Sequence, residues 1–175
     1  MVEIAPAGAR STSGQLAILA CPPALCPHVE FAVAAVVGVP VSLEWAPQPA
    51  RVGSVCASLE WRGARGTAGR LASRLASISG VYFDVVEAGS PGCDPERYSG
   101  TPELGLHRAA LAANGDVMVS EAQISTVLTQ MCGPHGSSGL PAALRELIGT
   151  AWDEILEPLR SGGSGGPVTY LRRTG

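Results

Sequence analysis

Val41-Ser42-Leu43-Glu44-Trp45 and Val55-Cys56-Ala57-Ser58-Leu59-Glu60-Trp61 carry the same four residues, Ser-Leu-Glu-Trp, twice in close succession. Side chains alternate between the faces of a strand. Val41, Leu43 and Trp45 therefore share one face of a first strand, and Val55, Ala57, Leu59 and Trp61 share that face of a second. Ser42, Glu44, Ser54, Cys56, Ser58 and Glu60 fall on the opposite face. The linking residues 47–53 hold Pro47, Pro49 and Gly53 and suit a hairpin loop.

The flanks of this pair follow a helical period. Residues 27–37 read as a helix with an apolar stripe of Leu25, Val29, Val33, Val36 and Val37. Pro27 suits its first turn, where a missing N–H costs nothing. Gly38 and Pro40 form a stop signal. Residues 67–79 read as a second helix, with Leu71, Leu75 and Ile78 on one side and Gly80 ending it. Residues 15–20 form a short buried strand before the first helix, and residues 81–88 a strand after the second. The order β-α-β-β-α-β predicts the split βαβ, or ferredoxin-like, arrangement.

Beyond it, residues 89–102 read as a loop dense in Gly, Pro, Ser and Asp. Residues 104–112 and 117–119 form a hairpin around Asn114-Gly115. Ser120 and Gln123 form a capping box for a helix ending near Met131. Residues 133–139 break the chain, residues 141–159 form one further helix, residues 161–166 a glycine-rich loop and residues 168–172 a last strand. The fold class expected is α+β: a ferredoxin-like βαββαβ half with a ββααβ C-terminal extension sharing one core. Residues 1–14 are expected to be a flexible N-terminus, and residues 15–173 a single domain.

Composition narrows the function. Apolar residues make up 46 % of the 175 residues and charged ones 15 %, which excludes a disordered, solvating chain. At this length a fold buries roughly 70 % of the unfolded surface, enough for an ordinary core. The net charge of −3 gives no electrostatic reason to expect nucleic acid or an anionic membrane as partner. All 12 basic residues are arginine. A phosphate-binding loop of the Walker type and Schiff-base chemistry both need lysine and are excluded. The apolar run 16–20 is too short to span a bilayer, and no secretory signal is visible. The five cysteines, Cys21, Cys26, Cys56, Cys93 and Cys132, are odd in number and irregularly spaced. They read as reduced, cytoplasmic thiols.

Several motifs occur in one order: Ala24-Leu25-Cys26-Pro27-His28-Val29-Glu30-Phe31, then Trp45-Ala46-Pro47-Gln48-Pro49-Ala50. Glu96-Arg97-Tyr98-Ser99 follows, with Thr101-Pro102-Glu103-Leu104-Gly105 after it. Asn114-Gly115-Asp116, Trp152-Asp153-Glu154 and Leu156-Glu157-Pro158 complete the set. Together they resemble an actinobacterial family of uncharacterised proteins, domain of unknown function 3145, over roughly residues 15–173. The resemblance implies an actinobacterial, cytoplasmic protein without an assigned activity. It also implies a link to fatty-acid metabolism, through the genes beside which some members are encoded. Family members usually carry Trp where Phe31 stands, and Cys21, Cys56 and Cys132 lie outside the family pattern.

The residues offer two kinds of chemistry. Cys26 is expected at the cap of the first helix, where the dipole and free N–H groups would lower a thiol pKa. His28 could serve as its base, and Glu30 lies one turn on. Against this stands a small buried cysteine with no oxyanion hole to serve. In the loop before the hairpin, Arg97 could hold a carboxylate or phosphate beside Tyr98. It could equally pin the loop to Asp153 or Glu154. Gly63, Gly66 and Gly69 with Arg62, Arg65 and Arg70 could form an anion site at a helix start, or simply allow close packing. A zinc site from Cys26, His28, Cys132 and His135 lacks any Cys-x-x-Cys pair, so no metal and no cofactor is expected. Gly162-Gly163-Ser164-Gly165-Gly166 lacks the strand-turn-helix setting of a nucleophile elbow.

The expectation is a binding or regulatory protein, not an enzyme. Cys26, His28, Glu30, Arg97, Tyr98 and Asp153 would contact a small anionic ligand or a protein partner, a homodimer being one form of the latter. The competing expectation is an enzyme acting on an acyl or thioester group, with Cys26 as nucleophile and His28 as base. A structural subunit of a larger assembly would instead show a large apolar surface patch.

Overall fold

A long alternation of small and apolar residues, Ser-Thr-Ser-Gly-Gln-Leu-Ala-Ile-Leu-Ala-Cys, forms the strand around which everything else is arranged. The computed structural model describes residues 2–3, 11–131 and 139–162. In chain order, β1 is Val2–Glu3 and β2 is Ser11–Cys21. A 3-10 turn at Pro23–Leu25 leads into α1, Cys26–Val37. Then come β3 at Ala46–Pro47, β4 at Val55–Ala64, α2 at Thr67–Ala76 and β5 at Tyr82–Glu87. The second half holds β6 at Glu96–Thr101, β7 at Gly105–Leu111 and β8 at Val117–Met118. Helices α3 (Glu121–Met131), α4 (Leu140–Leu147) and α5 (Thr150–Gly162) follow.

The strands form one sheet in the order β1-β4-β2-β5-β6-β7-β8, with β3 also on β4. Among the described residues only β1 runs parallel to its neighbour; the other pairs are antiparallel. The class is α+β. Helices α1 and α2 seal one face, where Leu16, Ile18, Phe83, Val85 and Trp61 meet Val29, Val33, Leu71 and Leu75, all at most 1 % exposed. The close approach of β5 to β6 needs Gly100, since a Cβ there would land on the Phe83 ring. Helix α5 covers part of the other face, placing Leu156 and Leu159 on Leu19, Ala20 and Tyr82. The sheet thus separates two clusters where a single shared core was expected.

The local signals act largely as read. Gly38 ends α1 in the left-handed region at φ 79° and donates to the Ala34 carbonyl at 2.8 Å. Ser120 and Gln123 close the capping box, with Ser120 N–H to Gln123 Oε1 at 2.9 Å and Gln123 N–H to Ser120 Oγ at 3.2 Å.

Other expectations are corrected. The strand expected over residues 15–20 is β2, which begins earlier, at Ser11. Residues 41–45 do not join the ladder; of the first Ser-Leu-Glu-Trp strand, only Ala46 and Pro47 beyond it pair with β4. The Leu43 N–H and the Trp45 indole N–H instead donate to the Glu30 carboxylate, at 2.9 and 3.0 Å. Residues 96–101, expected in a loop, form β6. The single helix expected over 141–159 is two, broken at Gly149 with φ 77°. There the missing Cβ makes room for the His107 ring. The expected strand 168–172, and most of the breaks at 133–139 and 161–166, lie outside the described residues.

Candidate functional site

Alternation along β5, β6 and β7 sends Tyr82, Asp84, Arg97, Ser99, Thr101, His107 and Ala109 to the face under α5. This face is polar and nevertheless buried: Asp84 is 3 % exposed, Ser99 1 %, Thr101 4 % and Arg97 8 %. Charges so placed must be paired and hydrogen-bonded. Helix α5 supplies the partners by presenting Asp153 and Arg160 two turns apart on one side.

Arg97 Nη2 donates to both Asp153 oxygens, at 3.1 and 3.2 Å. Arg160 Nε donates to Asp84 Oδ2 at 2.7 Å, and its Nη1 to Asp153 Oδ1 at 2.9 Å. Glu157 accepts from the same nitrogen at 3.3 Å. The Ser99 hydroxyl donates to Asp84 Oδ1 at 2.6 Å. Burial alone would lower the Arg160 pKa, but Asp84 and then Asp153 outweigh it and hold the guanidinium charged. Beside this network the Gln48 amide donates to the Leu19 and Leu159 carbonyls, at 2.5 and 3.1 Å, and joins β2 to α5.

The neighbouring end of the face is also self-satisfied. The Tyr82 hydroxyl donates to Glu103, and the Arg51 guanidinium lies 4.3 Å from the Tyr82 ring centroid. Burial, and then the bond to Glu103, raise the Tyr82 pKa against the opposing pull of Arg51. His107 stacks on Trp152 with ring centroids 4.9 Å apart, and its Nε2 lies 3.3 Å from the Leu147 carbonyl oxygen.

Asp84, Ser99 and His107 stand side by side on β5, β6 and β7. Three strands bring together residues that share no motif, so sequence reasoning missed the row. It is not a nucleophilic triad. The Ser99 hydroxyl donates its hydrogen bond to Asp84 and His107 contacts Leu147, whereas a triad needs the imidazole on the hydroxyl.

The expected site residues are therefore divided. Arg97 and Asp153 meet, in the pinning arrangement. Tyr98 points to the opposite face, where its hydroxyl donates to Glu96 Oε2 at 2.6 Å and it packs over Gly69 of α2. Burial, then the bond to Glu96, push its pKa up to about 12. Cys26, His28 and Glu30 belong to α1, across the sheet from Arg97. The α1 cap is Leu25, and Cys26 is the first helical residue. Its N–H is already taken by the Pro23 carbonyl of the 3-10 turn. Burial raises the Cys26 thiol; a hydrogen bond with Cys21 opposes this, and the Glu30 charge adds to it. Cys21 is pushed up to about 12, mainly by burial. His28 is exposed.

The anion site considered at the start of α2 is filled from within. Glu87 of β5, 7 % exposed, accepts from the Gly66 N–H at 2.8 Å and the Ala68 N–H at 2.9 Å. A carboxylate there meets the positive end of the helix. Among the described residues, no group of three or more His, Cys, Asp or Glu could hold a metal ion. Cys132 and His135 of the zinc set lie outside the described residues. No described helix is long and apolar enough to cross a membrane.

No curated protein and no solved structure matches this chain. One family model does, over residues 15–173, nearly the whole length. The chain belongs to the family described as Protein of unknown function (DUF3145).

Proposed function

We propose that this is a binding or regulatory protein without catalytic activity, and that its partner is another protein. The observation that carries this is the distribution of exposed apolar side chains. Of the ten exposed large apolar side chains among the described residues, seven, Leu104, Leu106, Met118, Ile124, Leu128, Leu144 and Ile148, are each 38–43 % exposed and belong to β7, β8, α3, α4 and their flanks; Phe31, Val39 and Val52 are exposed elsewhere. In α3 residues 121–130 are exposed except the half-buried Val127. Apolar groups concentrated at one end of a molecule mark a contact surface.

The small-anion alternative has lost its binding groups. Arg97 and Arg160 are engaged with Asp153 and Asp84, Arg108 with Glu96, and the α2 N-terminus with Glu87. The cysteine-enzyme alternative has less support still, since a thiol raised by burial is a poor nucleophile at neutral pH. A link to fatty-acid metabolism and a cytoplasmic location belong to this proposal on the resemblance alone. The antiparallel order β3-β4-β2-β5, crossed by α1 and α2, supports reading the first half as ferredoxin-like.

The test is a native mass spectrum of the protein from its own cells, beside an Ile124→Ser/Leu128→Ser variant with unchanged circular dichroism. A stoichiometric polypeptide on the wild type, lost from the variant, is the expected result. A bound small anion, or a polypeptide other than a second copy of this chain retained equally by the variant, overturns the proposal.

A further inference from the structure

Among the described residues, nothing but β8 pairs with the outer edge of β7, and the apolar side chains begin there. The Leu111 N–H donates to the Pro95 carbonyl at 2.8 Å, which sets the phase of the β6–β7 ladder. Main-chain groups alternate in an antiparallel pair. His107 and Ala109 therefore turn their N–H and C=O toward β6, and Leu106 and Arg108 turn theirs outward. Strand β8 covers only Ala110 and Leu111 before the chain leaves for α3. No described residue bonds the outward groups of Leu106 and Arg108. An exposed edge of this kind is a template for another strand.

We propose that this edge pairs with the same edge of a second copy of the chain, antiparallel about a two-fold axis at His107. The inference rests on the protein-binding reading above and names its partner. In this register Leu106 of each copy lies opposite Arg108 of the other, and both copies satisfy the same four outward groups. An isologous contact of this kind closes on itself and needs no other component. No like charges face each other, because Leu106 is apolar and the Arg108 guanidinium is already engaged by Glu96 of its own chain. Charge around the edge is sparse. From Gly105 to Met131 the charged side chains are Arg108, Asp116 and Glu121, so a second copy meets little repulsion. Leu106 and Met118 project from the edge and its neighbouring strand, giving the pairing apolar flanks.

Sedimentation across a concentration series tests this with the full chain. The expected wild-type result is a species of twice the 17.8 kDa chain mass. Leu106→Lys, which puts a second positive charge opposite Arg108, should weaken it at least about tenfold. Leu106→Pro removes an outward N–H that the fold does not use and should do the same. Should Leu106→Pro misfold, Leu106→Lys and amide exchange decide. The Leu106 and Arg108 amides should gain protection as concentration rises, with the inward His107 and Ala109 amides unchanged. A wild-type monomer at every concentration overturns the self-pairing, as does a dimer that Leu106→Lys leaves intact or one without concentration-dependent protection. If a different polypeptide is still lost from the Ile124→Ser/Leu128→Ser variant, the protein-binding reading stands and only the second copy is wrong.

Discussion

Phe83 and Asp84 are neighbours on β5, and they close the two faces of the sheet by opposite means. Phe83 lies among Leu16, Ile18, Val85 and the apolar stripes of α1 and α2. Asp84 lies under α5, held by Ser99 and Arg160. The first face excludes water by contact area, which tolerates many residues of similar volume. The second does so through paired charges, which tolerate almost no single replacement but gain little over a well-packed apolar layer. The apolar face therefore sets the stability of the fold, and the polar face sets where α5 docks.

Single truncations break this comparison most strongly. Phe83→Ala should cost about 3–5 kcal/mol in urea unfolding, through the cavity it leaves. Asp84→Ala should cost somewhat less, about 2–4 kcal/mol, because it removes the acceptor of the buried Arg160 Nε and of the Ser99 hydroxyl while Asp153 and Glu157 still hold the Arg160 charge. The double variant Asp84→Leu/Arg160→Met separates the two mechanisms. Removing both charges should recover most of the Asp84→Ala loss, whereas no second substitution beside Phe83→Ala removes its cavity cost in this way. A double variant as unstable as Asp84→Ala would mean that the network does more than fix the position of α5.

Glu87→Gln should come next, at about 1–2 kcal/mol, since the α2 amides lose a charged acceptor while keeping a neutral one. Thermal melts with and without salt would read it, and a wild-type advantage below about 0.5 kcal/mol would mean that solvent caps α2 as well as Glu87 does.

A pH effect sharpens the apolar side. Burial alone would raise the Glu96 carboxyl, but the bonds from Arg108 and Tyr98 outweigh it and lower the pKa. A carboxyl lowered on folding contributes stability above its unfolded pKa and loses it as pH falls through the folded value. The stability gap between wild type and Glu96→Gln should therefore be constant at neutral pH and close as the solution becomes acidic. A gap independent of pH would show that Glu96 contributes by packing alone. The smallest effect concerns Cys26, whose alkylation midpoint should lie above the ordinary thiol value of about 8.5. A midpoint below it would revive the nucleophile reading.

Legibility followed the same division. Helix α1 was readable because Val29, Val33 and Val37 repeat at helical spacing and Gly38 supplies the stop. Strand β6 was not, because Arg97, Ser99 and Thr101 are polar residues on a buried face. A polar alternation looks like a loop until Asp84, Asp153 and Arg160 are known to answer it. Within the candidate site the pairing of Arg97 with Asp153 was one of two alternatives. The separation of Cys26, His28 and Glu30 from them was invisible, since distance along a chain says nothing about which side of a sheet a residue occupies.

The repeated Ser-Leu-Glu-Trp shows the limit at the level of single strands. Its second copy pairs as expected, because β2 runs beside β4 from Val55 to Ala64. Its first copy lies beside Glu30, whose carboxylate takes the Leu43 backbone N–H and the Trp45 indole N–H. Sequence by itself determined the family, the α+β class and the elements with local periodicity and caps, because those signals act between residues a few positions apart. Only the tertiary structure decided the polar layer under α5, the internal filling of the α2 N-terminus and the stretch of β7 edge that no described residue pairs with. Each depends on which distant donor or acceptor arrives first, or on none arriving.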